Sequence, residues 1–215
     1  SPWAVFQSRK LWTQNVPLFT LLFIASVPIL VVRRRAWALI PALAAVGALI
    51  GLHLGGIAFV GVLTVILATF RDRIRPGPLL VGIALLMLIL GPYFVHDRAR
   101  GWPNVRALAE LGASSPSLNL RAPVMAARVA SGYHLEDLAG TKHGEFLASV
   151  PDLRWFDLVE IGLFWLGLAW TAWRVGREAV VHRGALSSDA QARVVLLCWF
   201  LVPVALLTQR RPVQP

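Results

Sequence analysis

The stretch that decides the fold is Ala36 to Phe70, AWALIPALAAVGALIGLHLGGIAFVGVLTVILATF, which contains no Asp, Glu, Lys or Arg over 35 residues. As a single α-helix it would be about 52 Å long, whereas about 20 apolar residues already cross a bilayer core of about 30 Å. The stretch is therefore predicted to form two short helices, 36–50 and 54–70. The turn between them is expected near the glycine-rich segment Gly51 to Gly56.

Four further apolar runs lie on either side of this stretch, at 16–32, 78–95, 156–173 and 194–208. The whole chain is 57% hydrophobic and 15% charged, with a mean hydropathy of +0.65. Soluble domains carry about a quarter charged residues, so this composition excludes an ordinary soluble enzyme, a disordered chain and a small disulfide scaffold. We predict an all-α integral membrane protein with six spans, in one membrane domain over 1–215 that is itself partial.

The net charge of +10, from 21 basic and 11 acidic residues, is interpreted through topology rather than as a nucleic-acid site. Basic residues collect in short cytoplasmic loops, and 10 of them lie in three short connections. Those residues are Arg33, Arg34, Arg35, Arg71, Arg73, Arg75, Arg174, Arg177, Arg183 and Arg193. With these inside, the segment 96–155 lies outside, where it is expected to form a loop subdomain of short helices.

The ends of the sequence and its one cysteine add little about function. The sequence begins at Ser1 rather than Met and stops abruptly at Pro215, so we expect a segment of a longer protein. Cys198 is the single cysteine, which excludes an internal disulfide.

Cations on the predicted outer side are the first candidate site. Arg9 and Lys10 precede the first span by about six residues and could hold a phosphate or pyrophosphate headgroup. The alternative is that they snorkel to lipid phosphates. Gln14 and Asn15 follow them, and either cap the helix or bind a sugar hydroxyl. Arg210 and Arg211, just outside the last span, pose the same choice between headgroup and interfacial anchor.

His53 lies at the outer turn of the central stretch, where a hydrogen-bonded structural role competes with an active-site role. Gly47, Gly51 and Gly55 recur every four residues, a spacing that permits close helix contact. The outer segment holds several acidic and histidine side chains, among them Asp97, but none has the spacing of a known metal or catalytic motif. No nucleotide or other cofactor motif is present, and metal dependence stays open.

In order along the chain, these pieces resemble bacterial membrane glycosyltransferases of family 39. SPWAVFQSRKLWTQN is similar to the segment where a Ser-Arg pair precedes a membrane helix, and Leu52-His53-Leu54 lies centrally in a similar helix pair. Leu90-Gly91-Pro92-Tyr93 with Gly101-Trp102-Pro103-Asn104 resembles the exit of a helix into the outer loop. The end of the sequence, TQRRPVQP, resembles the start of a C-terminal motif that continues into His-Tyr.

The resemblance implies the GT-C fold and transfer of a sugar from a polyprenyl-phosphate carrier to a protein, lipid or glycan. Arg9, Lys10, Arg210 and Arg211 would then bind the lipid phosphate, while Gln14, Asn15 and His53 would face the active site. The family's catalytic Asp lies upstream of Ser1, and Gln14 or Asn15 stands where many members carry an acidic residue. The implied partners are the lipid bilayer and the lipid-linked donor, and the implied location is the bacterial cytoplasmic membrane.

Two other functions remain open at this point. A non-catalytic accessory subunit of a larger membrane complex would explain the missing acidic residue and the glycine-spaced helix face. A transporter ranks lower, because its spans should hold ionisable groups at mid-membrane depth and these contain almost none.

Overall fold

A computed structural model describes the backbone of residues 2–52, 56–106, 109, 123, 154–181 and 186–208. Within these ranges, side-chain surroundings are described from residue 17 onward, apart from residues 154, 156, 157, 207 and 208. The chain divides into two compact units, 1–115 with 187–203 and 116–186 with 204–215. The single membrane domain over 1–215 stays a prediction.

The described residues form α-helices and short 3₁₀ turns, with no strand among them, which confirms the all-α prediction. Two of the 3₁₀ turns, Ala36–Ala38 and Arg71–Arg73, precede helices. The α-helices of the described residues are α1 Pro2–Val31, α2 Leu39–Leu52, α3 Ile57–Thr69, α4 Pro76–Ala99, α5 Arg154–Val181 and α6 Ser188–Thr208.

Three of these helices have a stretch long and apolar enough to cross a membrane: Pro76–Ala99, Leu158–Val181 and Ser188–Leu206. The other apolar segments, Pro17–Val31, Ala36–Leu52 and Ile57–Thr69, are shorter. A helix can cross a membrane because its backbone polar groups bond to one another, and the side chains of these segments are mostly apolar. An integral membrane protein is thus supported, and the full set of six spans stays a prediction.

Several helices are longer than the apolar runs that predicted them. The first begins at Pro2 instead of residue 16, and α5 continues to Val181 although its predicted span ends at 173. The reason is that polar residues at helix ends keep helical hydrogen bonding, while an apolar run measures only the part that avoids water. Arg174 and Arg177 are consequently exposed residues of α5 and do not lie in a loop.

The charge-free stretch breaks into two helices, as predicted, with α2 ending at Leu52 and α3 beginning at Ile57. Gly56 makes the connection tight, because a Cβ added there would lie only 2.4 Å from the carbonyl carbon of Leu49. Only a residue without a side chain fits so close to the preceding helix. The C-terminal end of α2 and the N-terminal end of α3 therefore lie at nearly the same level.

The short helix α2 is central to the first unit, where it packs against both α1 and α4. Its buried side chains cover a broad arc of about 200° around its axis, and most residues on the remaining side are only partly exposed. These buried residues are Leu39, Ala42, Leu43, Ala45, Val46, Gly47 and Leu49. Around them the core continues with Val27 and Leu30 of α1 and with Ile66 of α3.

Small residues allow α2 and α4 to approach closely. A Cβ added at Gly82 of α4 would lie 2.6 Å from a methyl carbon of Leu43 and 3.3 Å from the carbonyl oxygen of Leu39. A Cβ added at Gly47 would lie 3.4 Å from the Cα of Leu86. The predicted contact role is thus confirmed for Gly47. It is wrong for Gly51, where an added Cβ meets nothing within 4 Å, and Gly55 lies outside the described residues.

An aromatic cluster joins three helices of the first unit. The ring of Phe23, on α1, is fully buried and meets Phe59 of α3 edge-on at a centroid distance of 5.2 Å. Trp199 of α6 stacks against the same ring at 6.0 Å. Such pairs stabilise by about 0.5–1.5 kcal/mol beyond their buried area, so they favour one arrangement of the three helices.

The packing of α2 on α4 predicts unequal effects of one substitution at two glycines of α4. Gly82→Leu should lower stability by about 1–3 kcal/mol, because its side chain would collide with Leu43 and the backbone of Leu39. Gly91→Leu should have little effect, since an added Cβ there meets nothing within 4 Å. Thermal unfolding of both variants in detergent measures the difference. Equal unfolding midpoints would show that α2 and α4 do not pack at Gly82.

Candidate functional site

The two helices that pack on α2 extend beyond it at one end. Gly82 lies against Leu43 and Gly47 lies against Leu86, so α2 and α4 run in the same direction with a constant register. In that register Leu52, the last residue of α2, is level with Gly91. The remaining turns of α4, up to Ala99, continue for about 12 Å past the end of α2.

The helix α1 also continues past α2. Its residues from Asn15 to Val31 are about 24 Å long, already more than the length of about 21 Å expected for α2. The backbone of residues 2–14 continues in the same helix. We call the resulting difference in height the step. At this level α2 ends and α3 begins, whereas residues 2–15 of α1 and 92–99 of α4 extend beyond it.

Four of the predicted site residues lie on the part of α1 that borders the step. The helix continues without a break through Arg9, Lys10, Gln14 and Asn15. A capping role for Gln14 or Asn15 is therefore wrong, because α1 begins at Pro2, far from both. Measured along the helix from Val31, Arg9 is about 33 Å away, close to the length of about 35 Å expected for α4.

The other three predicted site residues, His53, Arg210 and Arg211, lie outside the described residues. Their proximity to Arg9 and Lys10 therefore stays a prediction. Most of the predicted outer loop subdomain, 96–155, also falls outside the described residues, although 103–106 are helical.

The wall of the step formed by α4 is apolar and exposed. Tyr93, Phe94 and Val95 all face away from the protein interior, and Val95 is 71% exposed. The rings of Tyr93 and Phe94 meet edge-on, with centroids 6.1 Å apart. Beyond them come the exposed cations Arg98 and Arg100. This end of α4 is therefore apolar and exposed, and positive charge follows it.

Above this wall, Asp97 organises the exit of the chain from α4. The residue is only 1% exposed. One of its carboxylate oxygens accepts hydrogen bonds from the backbone N–H of Asn104, at 3.1 Å, and from the Asn104 side-chain amide, at 2.8 Å. The other oxygen accepts from the backbone N–H of Val105 at 3.2 Å. A negative side chain in this position satisfies the free N–H groups at the start of the next helical segment.

The turn enclosed by Asp97 uses unusual backbone conformations. Gly101 and Trp102 have φ angles of +80° and +64°, in the left-handed region, and Pro103 then begins the helical turn 103–106. The N–H of Trp102 donates to the carbonyl oxygen of Asp97 at 2.8 Å. Proline suits a first helical position because its missing N–H would have no partner there.

Sequence reasoning treated Asp97 only as one of several candidate bases or metal ligands. Its three hydrogen bonds show instead a structural role at the exit of α4. The sequence did carry a signal for this role, namely an Asp shortly before a Gly-Trp-Pro-Asn turn. The partner positions 104 and 105, however, become apparent only when the chain reverses direction.

At the other end of the first unit, arginines of two connections come together. These connections are 32–38, between α1 and α2, and 70–75, between α3 and α4. The side-chain Nε of Arg73 donates to the backbone carbonyl oxygen of Val31 at 3.3 Å, close to the last turn of α1. Arg73 also forms an ion pair with Asp72, and its own side chain is 9% exposed. Burial, and secondarily the charge of Arg34, lower the pKa of Arg73 from its ordinary value. We call this end of the first unit the basic end.

Among the described residues, no three His, Cys, Asp or Glu side chains lie together as metal ligands would. Comparison with known proteins adds no relative: no family model, no curated protein and no solved structure matches the chain.

The bonds of Asp97 predict a clear difference between two substitutions. Asp97→Ala should destabilise the protein by about 1–3 kcal/mol, because it leaves the N–H groups of Asn104 and Val105 without an acceptor. Asp97→Asn should cost less, since one acceptor oxygen remains. Two measurements report the effect: the rate at which a protease cleaves the 98–106 segment, and the midpoint temperature of thermal unfolding. If Asp97→Ala matched wild type in both, the carboxylate would not hold this turn.

Proposed function

We propose that the chain is part of a membrane glycosyltransferase of the GT-C kind, and that the step receives a polyprenyl-phosphate-linked sugar. The observation that carries the proposal is the height difference between the short helices α2 and α3 and their long neighbours α1 and α4. We propose that this difference, about 12 Å along α4, forms an opening at the outer end of the first unit. Sugar would be transferred there to a protein, lipid or glycan acceptor.

The chemistry of the donor suits such an opening. A polyprenyl phosphate has a long apolar tail that stays in the bilayer and a phosphate that must leave hydrocarbon to react. The exposed side chains of Tyr93, Phe94 and Val95, which lie around this end of α4, would offer apolar and aromatic surface for the tail. The head would lie higher, at the level of Arg9 and Lys10, where an arginine can bind phosphate through two parallel hydrogen bonds. In their alternative role, these cations would anchor α1 to the phosphates of the surrounding bilayer lipids and would bind no particular ligand.

The proposed reaction also needs a base to activate the acceptor. In the family that the sequence resembles, that base is an Asp at a position upstream of Ser1. The sequence here would supply the residues that bind the phosphate and line the step. Gln14 and Asn15 would then contact sugar hydroxyls, since both lie on the helix that borders the step. His53, Arg210 and Arg211 are proposed to complete the polar lining.

The proposed topology has six spans in the bacterial cytoplasmic membrane, with the basic end inside and the segment 96–155 outside. The clustering of Arg33–Arg35 with Arg71–Arg75 at one end of the first unit supports this orientation. The step then opens toward the outer face, where lipid-linked sugars are used in the proposed reaction.

Donor binding is tested in the whole natural protein that contains this sequence. Arg9→Ala and Lys10→Ala should each lower kcat/KM for a polyprenyl-phosphate sugar by about 10–100-fold, the loss expected for a hydrogen bond to a charged group. The matched control is Arg174→Ala, an exposed cation on α5 that should leave transfer unchanged. Unchanged kinetics in both test variants would refute the assignment of these cations.

The same preparation distinguishes the enzyme from an accessory subunit. Transfer by the purified protein alone supports the proposal. Absence of transfer, together with co-purification in fixed stoichiometry with other membrane proteins, would instead identify a subunit that packs within a larger complex.

Orientation is tested with single cysteines in a Cys198→Ser background. Arg106→Cys should react with a membrane-impermeant maleimide in intact bacterial cells, because position 106 is exposed on the proposed outer side. Arg35→Cys, exposed at the basic end, should react only after the cells are permeabilised. The reverse pattern would overturn the proposed topology, and labelling of both without permeabilisation would contradict a membrane barrier between them.

A further inference from the structure

The basic end holds an unusual concentration of one residue type. Six arginines and no lysine lie in its two connections, together with a single acidic residue, Asp72. The arginines are Arg33, Arg34, Arg35, Arg71, Arg73 and Arg75. Arginine makes up 19 of the 21 basic residues of the whole chain, so this end differs from the rest by the density of its arginines in two short connections. Arginine differs from lysine in presenting a planar fork of donors that matches the oxygens of a phosphate.

The two connections form one surface rather than two separate loops. The bond from Arg73 to the carbonyl oxygen of Val31 ties the connection after α3 to the end of α1. Arg34 is near enough for its charge to act on Arg73. Arg73 itself is largely buried and is paired with Asp72, so the only acidic side chain of these connections is already engaged.

The remaining five arginines keep their positive charge outward. Arg33, Arg34, Arg35, Arg71 and Arg75 are all exposed or nearly so, and none forms an ion pair with a residue that the structure describes. Like charges this close repel one another, and only solvent or a bound anion offsets that repulsion. The protein therefore maintains a concentrated positive surface at the level where its spans begin.

The starts of two helices add to the same charge. Arg35 precedes the 3₁₀ turn that leads into α2, and Arg75 is the N-cap of α4. Neither start has a capping side chain or an acidic residue in its first turn. By contrast, α6 begins conventionally: Ser187 Oγ accepts from the N–H of Ala190, and Asp189 lies in the first turn. Positive dipole ends usually attract acidic residues, so arginines there favour an external anion.

From this surface we propose that the basic end is a binding site for the headgroup of an anionic phospholipid. The phosphate diester would lie among the exposed arginines of the two connections, with its acyl chains along the apolar sides of the helices. A lipid is favoured over a soluble anion because Trp37, two residues after Arg35, is 54% exposed, and exposed Trp is enriched at bilayer interfaces. This site is at the opposite end of the first unit from the step and does not depend on the proposed function.

The experiment uses the whole natural protein in neutral detergent, titrated with phosphatidylglycerol or with phosphatidylcholine. Bound lipid is counted by native mass spectrometry, and the thermal midpoint is followed in parallel. The test variant replaces Arg33, Arg35, Arg71 and Arg75 by Gln and keeps Arg73, which contacts Val31. The matched control replaces Arg98, Arg100 and Arg106, exposed cations at the other end of the first unit, by Gln.

Wild type and control should retain phosphatidylglycerol in preference to phosphatidylcholine and should be stabilised by it. The test variant should bind it more weakly by about fivefold for each arginine replaced, and should lose the stabilisation. A second variant with Lys at the same four positions keeps the charge and separates fork recognition from simple attraction. It should fall between wild type and the Gln variant.

Three results would overturn the proposal. The first is equal phosphatidylglycerol binding by wild type and the Gln variant. The second is an equal loss in the control at the other end, which would indicate attraction to overall charge. The third is full stabilisation of wild type by inorganic phosphate alone, which would make the site one for a soluble anion. None of these readouts involves sugar transfer, so the outcome is distinguishable from a failure of the proposed enzyme activity.

Discussion

The close packing of α2 against α4 is the contact on which the rest of the first unit depends. Gly82 removes the side chain that would otherwise hold the helices apart, and Leu43 and the backbone of Leu39 occupy the space. Because the contact is close, it allows little freedom in the register of the two helices. That register in turn determines where the short helix ends against the long one, and therefore the existence and depth of the step.

The position of α2 also explains its composition. A helix that packs against two neighbours keeps little surface for water, and its sequence from Leu39 to Leu52 contains no polar side chain. Its length is limited by the tight connection at Gly56, which turns the chain back before a full span is reached. Shortness and apolarity are thus two consequences of a central location. They leave polar chemistry to the longer neighbours and to the connections.

The two ends of the first unit differ in how they treat charge. At the exit of α4, Asp97 is buried and its carboxylate is used within the chain, by Asn104 and Val105. At the basic end, Asp72 neutralises Arg73 alone and the other arginines face outward. A carboxylate satisfied by backbone N–H groups gives a rigid turn, whereas unsatisfied guanidinium groups give a surface that attracts anions. The proposed lipid site rests on the second of these arrangements.

The sequence by itself determined the class of protein, the break in the charge-free stretch and the identity of the basic connections, because all three follow from local hydropathy and charge. It also predicted the contact at Gly47. It placed the helix ends poorly, since a helix continues past its apolar part, and so it missed the position of Arg9 to Asn15 within α1. Tertiary structure alone decided the step, the capping role of Asp97 and the union of two basic connections through Arg73 and Val31. These features depend on the register and proximity of residues up to 42 positions apart, and no local pattern encodes such a distance.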